Sequence, residues 1–300
     1  MNNFTMMVGL PGGGKSTYAK ELSKTTNAII HSSDSLREEL FGDVNECNKN
    51  EELFKELHRR IKNDLSNGKN VVYDATNINY KKRTSFLQEI KKFSCYKKCI
   101  LIATPYEDCL EYNLKRERQV PEHVIKKMYK NIFIPQWYEG WDDIEIKFNN
   151  KKEYVITNLM HRLKEIEQDN SNHTLTIGNH CLKCLELVEQ KTNNINLSYA
   201  ALLHDIGKEF TKEFKNSKGE DTVEAHYYQH HLVSAYDSIF YLDSIQNNNF
   251  DLFKTIALIT WHMQPFFIKT EKAKNKFVKL VGQEFYHDIM LLHEADKMAK

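Results

Sequence analysis

Two groups of residues have the types and spacing to do chemistry on phosphates, one toward each end of the chain. The first is Gly9-Leu10-Pro11-Gly12-Gly13-Gly14-Lys15-Ser16-Thr17. It fits G-x-x-x-x-G-K-[ST], follows a short apolar run at residues 4–8, and precedes Tyr18, Ala19 and Leu22 at helical spacing. Glycines at Gly9, Gly12, Gly13 and Gly14 let backbone N–H groups close around a phosphate that a Cβ would fend off. Lys15 is then placed to reach the β- and γ-phosphates, and Ser16, with Thr17 beside it, to hold Mg²⁺. The pattern predicts a bound nucleoside triphosphate, ATP with Mg²⁺.

Two carboxylates fall near that loop if the segments between them form a parallel sheet. Asp74 ends the run Val71-Val72-Tyr73 and opens Asp-Ala-Thr-Asn. From there it completes the Mg²⁺ shell opposite Ser16, unless it only caps a turn. Asp34 lies in Ser33-Asp34-Ser35-Leu36-Arg37, after the second strand. It reads equally as a general base for an acceptor hydroxyl and as the N-cap of the next helix, a role Ser33 or Ser35 can share. Lys115, Arg116 and Arg118, in the stretch from Asn113 to Pro121, sit between two helices. They form either a lid over a transferring phosphoryl group or a solvated charge run.

The second group is His204-Asp205-Ile206-Gly207-Lys208, closing an apolar helical stretch. Further candidate ligands are His180 upstream and His230, His231, His262 and Asp296 downstream. Mixed imidazole and carboxylate ligands suit Mn, Fe, Co, Ni or Zn, and such a cation lowers the pKa of water toward neutrality. Gly207 is expected to let the chain turn sharply after the pair. His161, His173, His287 and His293 read as ordinary residues. Cys181-x-x-Cys184 has no second such pair and falls in a helical pattern, so it reads as helix-packing thiols.

The elements needed to position these groups differ between the halves. A length of 300 residues suggests two domains. Strand-like runs at 4–8, 28–30, 70–73, 98–103 and 144–148 alternate with helical patterns, which predicts an α/β parallel sheet with helices on both faces. After residue 152 no strand is expected; helices are predicted at 153–168, 176–190, 198–204, 230–246, 250–262 and 274–300, an all-α domain. The expected organisation is therefore 1–150, a connecting helix at 151–170, and 171–300. A formal net charge of +1 excludes a global basic field, so any polyanion site must be a local patch. No apolar run approaches the roughly 20 residues that span a bilayer. The chain opens directly into a strand pattern, and its six cysteines show no disulfide-like framework. A cytoplasmic protein away from membranes is expected.

Residues 4 to 150 resemble phage-type 5′-OH polynucleotide kinases. The likeness rests on GLPGGGKST at 9–17, SDSLR at 33–37, VVYDATN at 71–77 and RERQVPEHVIKKMY at 116–129. It implies Asp34 as general base, Arg37 as a phosphate contact, and Arg116 or Arg118 as the lid arginine. Residues 172 to 300 resemble the HD phosphohydrolase superfamily, whose order of His, His-Asp and a distant Asp falls on His180, His204-Asp205 and Asp296. Two-metal members add two histidines, which the resemblance places at His230, in preference to His231 or His226, and at His262; Lys208 would bind the scissile phosphate. Together the two resemblances imply an enzyme that heals broken RNA or DNA ends, RNA before DNA. It would add a 5′-phosphate, remove a 2′,3′-cyclic or 3′-phosphate, and leave the termini to a separate ligase. Two other readings stand beside it: a nucleoside-type small-molecule kinase joined to an HD nucleotidase, and a kinase joined to a regulatory, non-catalytic HD module. A repair kinase should show a basic groove toward Asp34, lined by some of Lys81, Lys82, Arg83, Lys126, Lys127 and Lys130.

Overall fold

The computed structural model describes residues 1–46 and 48–300; Cys47, one of the six cysteines above, lies outside the described residues. The chain divides into two compact units, residues 1–129 with 134–151, and residues 130–133 with 152–300.

The first unit is built on strands β1 (Asn2–Val8), β2 (Ile29–Ser32), β3 (Val71–Asp74), β4 (Cys95–Ala103) and β5 (Asp143–Phe148). They are all parallel, in the order β2-β3-β1-β4-β5. Connecting them are α1 (Lys15–Thr26), α2 (Ser33–Phe41), α3 (Asn50–Ser66), α4 (Tyr80–Ile90), α5 (Tyr106–Leu114) and α6 (Glu122–Lys130). The central strands are apolar at consecutive positions, and Met6, Met7 and Val8 of β1 and Ile100, Leu101 and Ile102 of β4 are all buried. Burial on both faces is what a parallel sheet covered by helices requires. From β1 the chain winds first to β2 and β3, then back past β1 to β4 and β5. The strand order thus reverses beside β1, and ligands of open α/β sheets bind in the crevice at that point. Gly9–Gly14, directly after β1, lies there.

One buried ion pair fastens this unit. Arg83 on α4 donates from Nε and Nη2 to the two oxygens of Glu139, at 2.8 and 2.6 Å. Trp141 Nε1 and the Gln136 backbone N–H also donate to Glu139. Both charged side chains are essentially unexposed, so every partner matters in the low dielectric. Arg83, expected as a groove residue, is instead a structural one.

The second unit contains α7 (Ile156–Leu163), α8 (Ile177–Glu189), α9 (Ile195–Leu203), α10 (Lys208–Thr211), α11 (His230–Leu242), α12 (Leu252–Trp261), α13 (Glu271–Val281) and α14 (Gln283–Met298). Its core joins Ile177, Leu203, Val233, Tyr236, Ile256, Ile289 and Leu292, all fully buried. Cys181 and Cys184 sit buried on α8 as packing thiols. The unit is not all-α, because an antiparallel hairpin of β6 (Glu213–Lys215) and β7 (Asp221–His226) stands between α10 and α11. In β7 only Ala225 is buried and Val223 is 95% exposed, so the alternation that marks a half-buried strand is missing from the sequence. The long helix expected over 274–300 is two helices parted at Gly282. That expected over 153–168 keeps only its middle, α7.

Candidate functional site

In the first unit, α1 starts at Lys15 with Gly14 as its cap and no side chain bonded to its first N–H groups, which leaves them for an anion. Gly12 has φ +81°, and a Cβ there would lie 2.3 Å from the Cys109 carbonyl oxygen, so the loop can close in this form only with glycine. Thr104 Oγ1 donates to the Gly13 carbonyl at 2.9 Å and the Gly9 N–H to the Thr76 carbonyl at 3.1 Å, fixing both ends. Lys15 is buried, with Nζ donating to the Leu10 carbonyl at 2.7 Å. Burial lowers its pKa, and the Asp74 carboxylate opposes that shift most. The Ser16 hydroxyl donates to Asp74 Oδ2 at 2.7 Å. A serine and a strand-end carboxylate in contact beside free N–H groups form a donor set that fits Mg²⁺ carried by a triphosphate.

Asp34 lies in the first turn of α2, but it is not the cap. Ser32 is, its Oγ accepting from the Ser35 N–H. The Asp34 carboxylate is therefore free of capping and remains 44% exposed in the cleft, held by Arg37 Nη1 at 3.1 Å and Arg118 Nη1 at 2.6 Å. Arg37 is itself buried and donates to Asn50 Oδ1 at 2.9 Å. The segment carrying Arg116 and Arg118 is clamped at its base, where Asn113 bonds both the N–H and the carbonyl of Val120 at 2.9 Å. Arg37, Arg116, Arg118, Asp34 and Asp74 share one cleft with the glycine loop, of ≈ 1650 Å³. That exceeds the about 300–1,000 Å³ of a site for one small ligand. Of the six cations expected along a groove, Lys82 and Arg83 border this cleft, and Arg83 is engaged by Glu139. Lys130 instead pairs with Glu213, within the second unit.

In the second unit, His180, His204, Asp205, His230, His262 and Asp296 converge in two sets that share Asp205. Asp205 Oδ2 lies 3.3 Å from His180 Nε2 and 3.4 Å from His204 Nε2, while Oδ1 lies 3.3 Å from His230 Nε2 and 3.7 Å from His262 Nε2. Asp296 Oδ1 is 3.2 Å from His180 Nε2. Each ring turns Nδ1 to a backbone carbonyl: His180 to Ala299, His204 to Ala201, His230 to Tyr227 and His262 to Ile259. A carbonyl only accepts, so Nδ1 carries the proton of each neutral ring and Nε2 presents a lone pair inward. Two such pairs face one another, His180 with His204 at 3.2 Å and His230 with His262 at 3.1 Å. Lone pairs this close, beside two carboxylates and out of water, call for positive charge. Burial opposes a charged His180, yet Asp205 and Asp296 raise it to about 9. The set fits one or two divalent transition cations.

Three details here escaped the sequence. Gly207 has φ −70° and makes no unusual turn; a Cβ on it would lie 2.5 Å from the His230 carbonyl oxygen and 2.6 Å from the Ser234 N–H. It is a close-approach glycine that brings the His-Asp pair against α11. Lys208 has its three N–H directions taken by Asp205 Oδ2 at 2.7 Å, Gln168 Oε1 at 2.7 Å and His173 Nε2 at 3.3 Å, so a phosphate would have to displace one of them. His173, read as ordinary, packs against His180 with its Nδ1 unpartnered among the described residues. His231 and His226 stay outside the cluster, and His226 stacks on Tyr228.

Residues 4–135 match the AAA domain family. The L-seryl-tRNA(Sec) kinase of Methanococcus maripaludis is 29% identical over 240 residues, covering 72% of this chain and 91% of its own. These matches, with the glycine loop after β1 of a parallel sheet, support a P-loop kinase fold for the first unit. Among solved structures, a chain of the Pnkp1/Rnl/Hen1 RNA repair complex is 22% identical with a TM-score of 0.39, and this chain spans 42% of it. A putative kinase from Chloroflexus aurantiacus is 15% identical with a TM-score of 0.42, of which 85% is covered. No described helix is long and apolar enough to cross a membrane.

Proposed function

We propose that the chain heals nucleic-acid ends, with a kinase unit that phosphorylates 5′-hydroxyl termini and an HD-type unit that removes a 2′,3′-cyclic or 3′-phosphate. The observation that carries the kinase half is one cleft that joins a triphosphate cradle to an arginine-held carboxylate. In this reading Asp34 takes the proton of the acceptor hydroxyl. The acceptor oxygen bonds the γ-phosphorus of ATP as the bond to the β–γ bridging oxygen breaks, and ADP leaves. Arg118 lies 2.6 Å from Asp34 Oδ1, and in this reading it transfers from Asp34 to the phosphoryl group as substrates fill the cleft. There it joins Lys15 and Arg116 in offsetting charge that grows in the transition state. Ser16 and Asp74 would hold Mg²⁺, which would supply charge neutralisation for the phosphates.

In the second unit the four inward Nε2 atoms, Asp205 and Asp296 would hold the cations, and Lys208 keeps Asp205 in place. Held there, Mn, Fe, Co, Ni or Zn would supply Lewis-acid polarisation of a phosphoryl oxygen and a lowered pKa for water. The resulting termini suit a separate ligase, with RNA the favoured substrate.

The test is an RNA oligonucleotide with a 5′-hydroxyl and a 2′,3′-cyclic phosphate, incubated with ATP, Mg²⁺ and Mn²⁺ or Ni²⁺, each end read by mass. Gain of a 5′-phosphate with loss of the cyclic phosphate supports end-healing; turnover of nucleosides or nucleotides alone would replace it with a metabolic role. A second acceptor is favoured by one finding. The alignment with the seryl-tRNA kinase covers 72% of this chain, which runs beyond the P-loop unit. Seryl-tRNA therefore belongs in the same assay as a rival hydroxyl.

A further inference from the structure

The ammonium of Lys208 reaches the hydrolytic site already fully bonded. It is buried, and its N–H groups face Asp205 Oδ2 at 2.7 Å, Gln168 Oε1 at 2.7 Å and His173 Nε2 at 3.3 Å. An ammonium has three donors, so a phosphate oxygen gains one only when a partner lets go. The three holds are unequal. Asp205 is the charged partner, in the same turn of chain as Lys208, and breaking a buried charge pair is costly. Gln168 is buried and braced on every side: its Nε2 donates to the Leu175 carbonyl at 3.0 Å, and its own carbonyl accepts from the Tyr227 hydroxyl and from Asn170 Nδ2 at 3.1 Å. The ring of Tyr227 also lies 5.3 Å below Lys208 Nζ, a cation–π contact that keeps the ammonium where it is.

His173 is the weak member. It is half-buried, between the exposed Asn172 and Thr174. Facing an ammonium, its Nε2 can only accept, so the proton of the neutral ring is on Nδ1. That Nδ1 is without a partner among the described residues. The ring meets His180 edge to face, with centroids 5.0 Å apart, a contact that does not depend on the bond to Lys208. Its hold on Lys208 is thus a single neutral bond, longer than the other two. The direction it takes up belongs to an ammonium already seated on Asp205, the carboxylate common to both metal sets. An oxygen in its place would stand beside the cations.

We propose that His173 is a positioning residue of the hydrolytic site, a placeholder on Lys208 that yields one N–H to an oxygen of the terminal phosphate while Asp205 and Gln168 keep theirs. The inference rests on the hydrolytic reading of the second unit and adds how the phosphate is admitted. Because His173 competes with phosphate for that N–H, the site binds phosphate more weakly than its ammonium allows. The same competition helps to expel inorganic phosphate after hydrolysis.

The experiment measures binding of inorganic phosphate by calorimetry to the full chain loaded with Mn²⁺, its glycine loop occupied by ADP and Mg²⁺. His173→Ala should bind phosphate about fivefold more tightly than the natural protein, the scale of one neutral hydrogen bond. His173→Phe, which keeps a ring against His180 and offers no acceptor, should match it. His173→Gln, which returns an acceptor, should restore the natural affinity, and Gln168→Ala should weaken it. On RNA ending in a 2′,3′-cyclic phosphate, His173→Phe should lower KM by the same factor and leave kcat unchanged, since the competitor is lost from ground state and transition state alike; a mere strut would lower kcat. Retained Mn²⁺, by elemental analysis, reports that each variant keeps its site. Phosphate affinity that is unchanged or weaker in both His173→Ala and His173→Phe overturns the placeholder and leaves the hydrolytic reading standing. Tighter binding in Gln168→Ala overturns it too, by making Gln168 the partner that yields. A natural protein that holds Mn²⁺ and binds no phosphate overturns both.

Discussion

At the residue scale the kinase cleft sets a tension that the proposed chemistry must resolve, since Asp34, the proposed general base, is ion-paired with Arg118. An ion pair to a carboxylate that is 44% exposed contributes little to folding. Arg118→Ala should therefore leave the melting temperature unchanged while lowering kcat by about 10²–10³, the usual loss for one transition-state donor. Single-turnover kinetics beside a thermal melt separates the two effects, and a fall in melting temperature with kcat intact would make Arg118 a mere strut. Asp34→Asn should abolish phosphorylation and spare hydrolysis. His58 supplies a pH signature for the same unit. Burial holds its folded pKa near about 4, below the ordinary 6.5. Between those values the unfolded chain binds the proton and the folded chain does not, so stability falls as pH drops through that window and levels off below it. The drop in melting temperature from pH 7.5 to 5 should be smaller in His58→Gln than in the natural protein; equal drops would remove His58 as the cause.

At the element scale, what the sequence made legible follows from which signals are local. The glycine loop, the strand ends at Asp74 and the Val-Pro start of α6 are short-range patterns, and each stands where its residues put it. Gly207 was visible as a glycine, but its reason was not. The clash that excludes a side chain comes from His230 and Ser234 on α11, more than twenty residues on, and no local rule carries that. The hairpin β6–β7 was hidden because almost none of its side chains is buried. Arg83 looked like one of several surface cations until its partner appeared 56 residues away. Two predictions belong here. Glu139→Gln removes the charge opposite a buried guanidinium and should destabilise the first unit by about 3–5 kcal/mol, read as a lower midpoint in urea. Gly207→Ala should cost about 1–3 kcal/mol of overpacking in the second unit. By shifting the His230 carbonyl it should also weaken retained metal, measured by elemental analysis after dialysis.

At the scale of the whole molecule, the two units carry donor sets of different hardness, and that difference makes them separable in one experiment. Ser16 and Asp74 offer oxygen only, the ligand type of Mg²⁺. The second unit offers four imidazole nitrogens with two carboxylates, already oriented by backbone carbonyls, which favours later transition metals. A ligand that binds only the folded state stabilises it by RT ln(1 + [L]/Kd), about 2.7 kcal/mol at a hundredfold excess over Kd. Mn²⁺ or Zn²⁺ should therefore raise the melting of the second unit, followed by hydrogen exchange at α8, α9 and α11, and leave the first unit where it was. ATP with Mg²⁺ should protect α1 and the glycine loop and leave the second unit unchanged. Asp205→Asn, which weakens the one side chain common to both metal sets, should abolish the first response and keep the second, while Lys15→Ala should do the reverse. A chain that melts identically with chelator and with transition metal would mean that the inward lone pairs hold no cation, and the hydrolytic half of the proposal would fall with them.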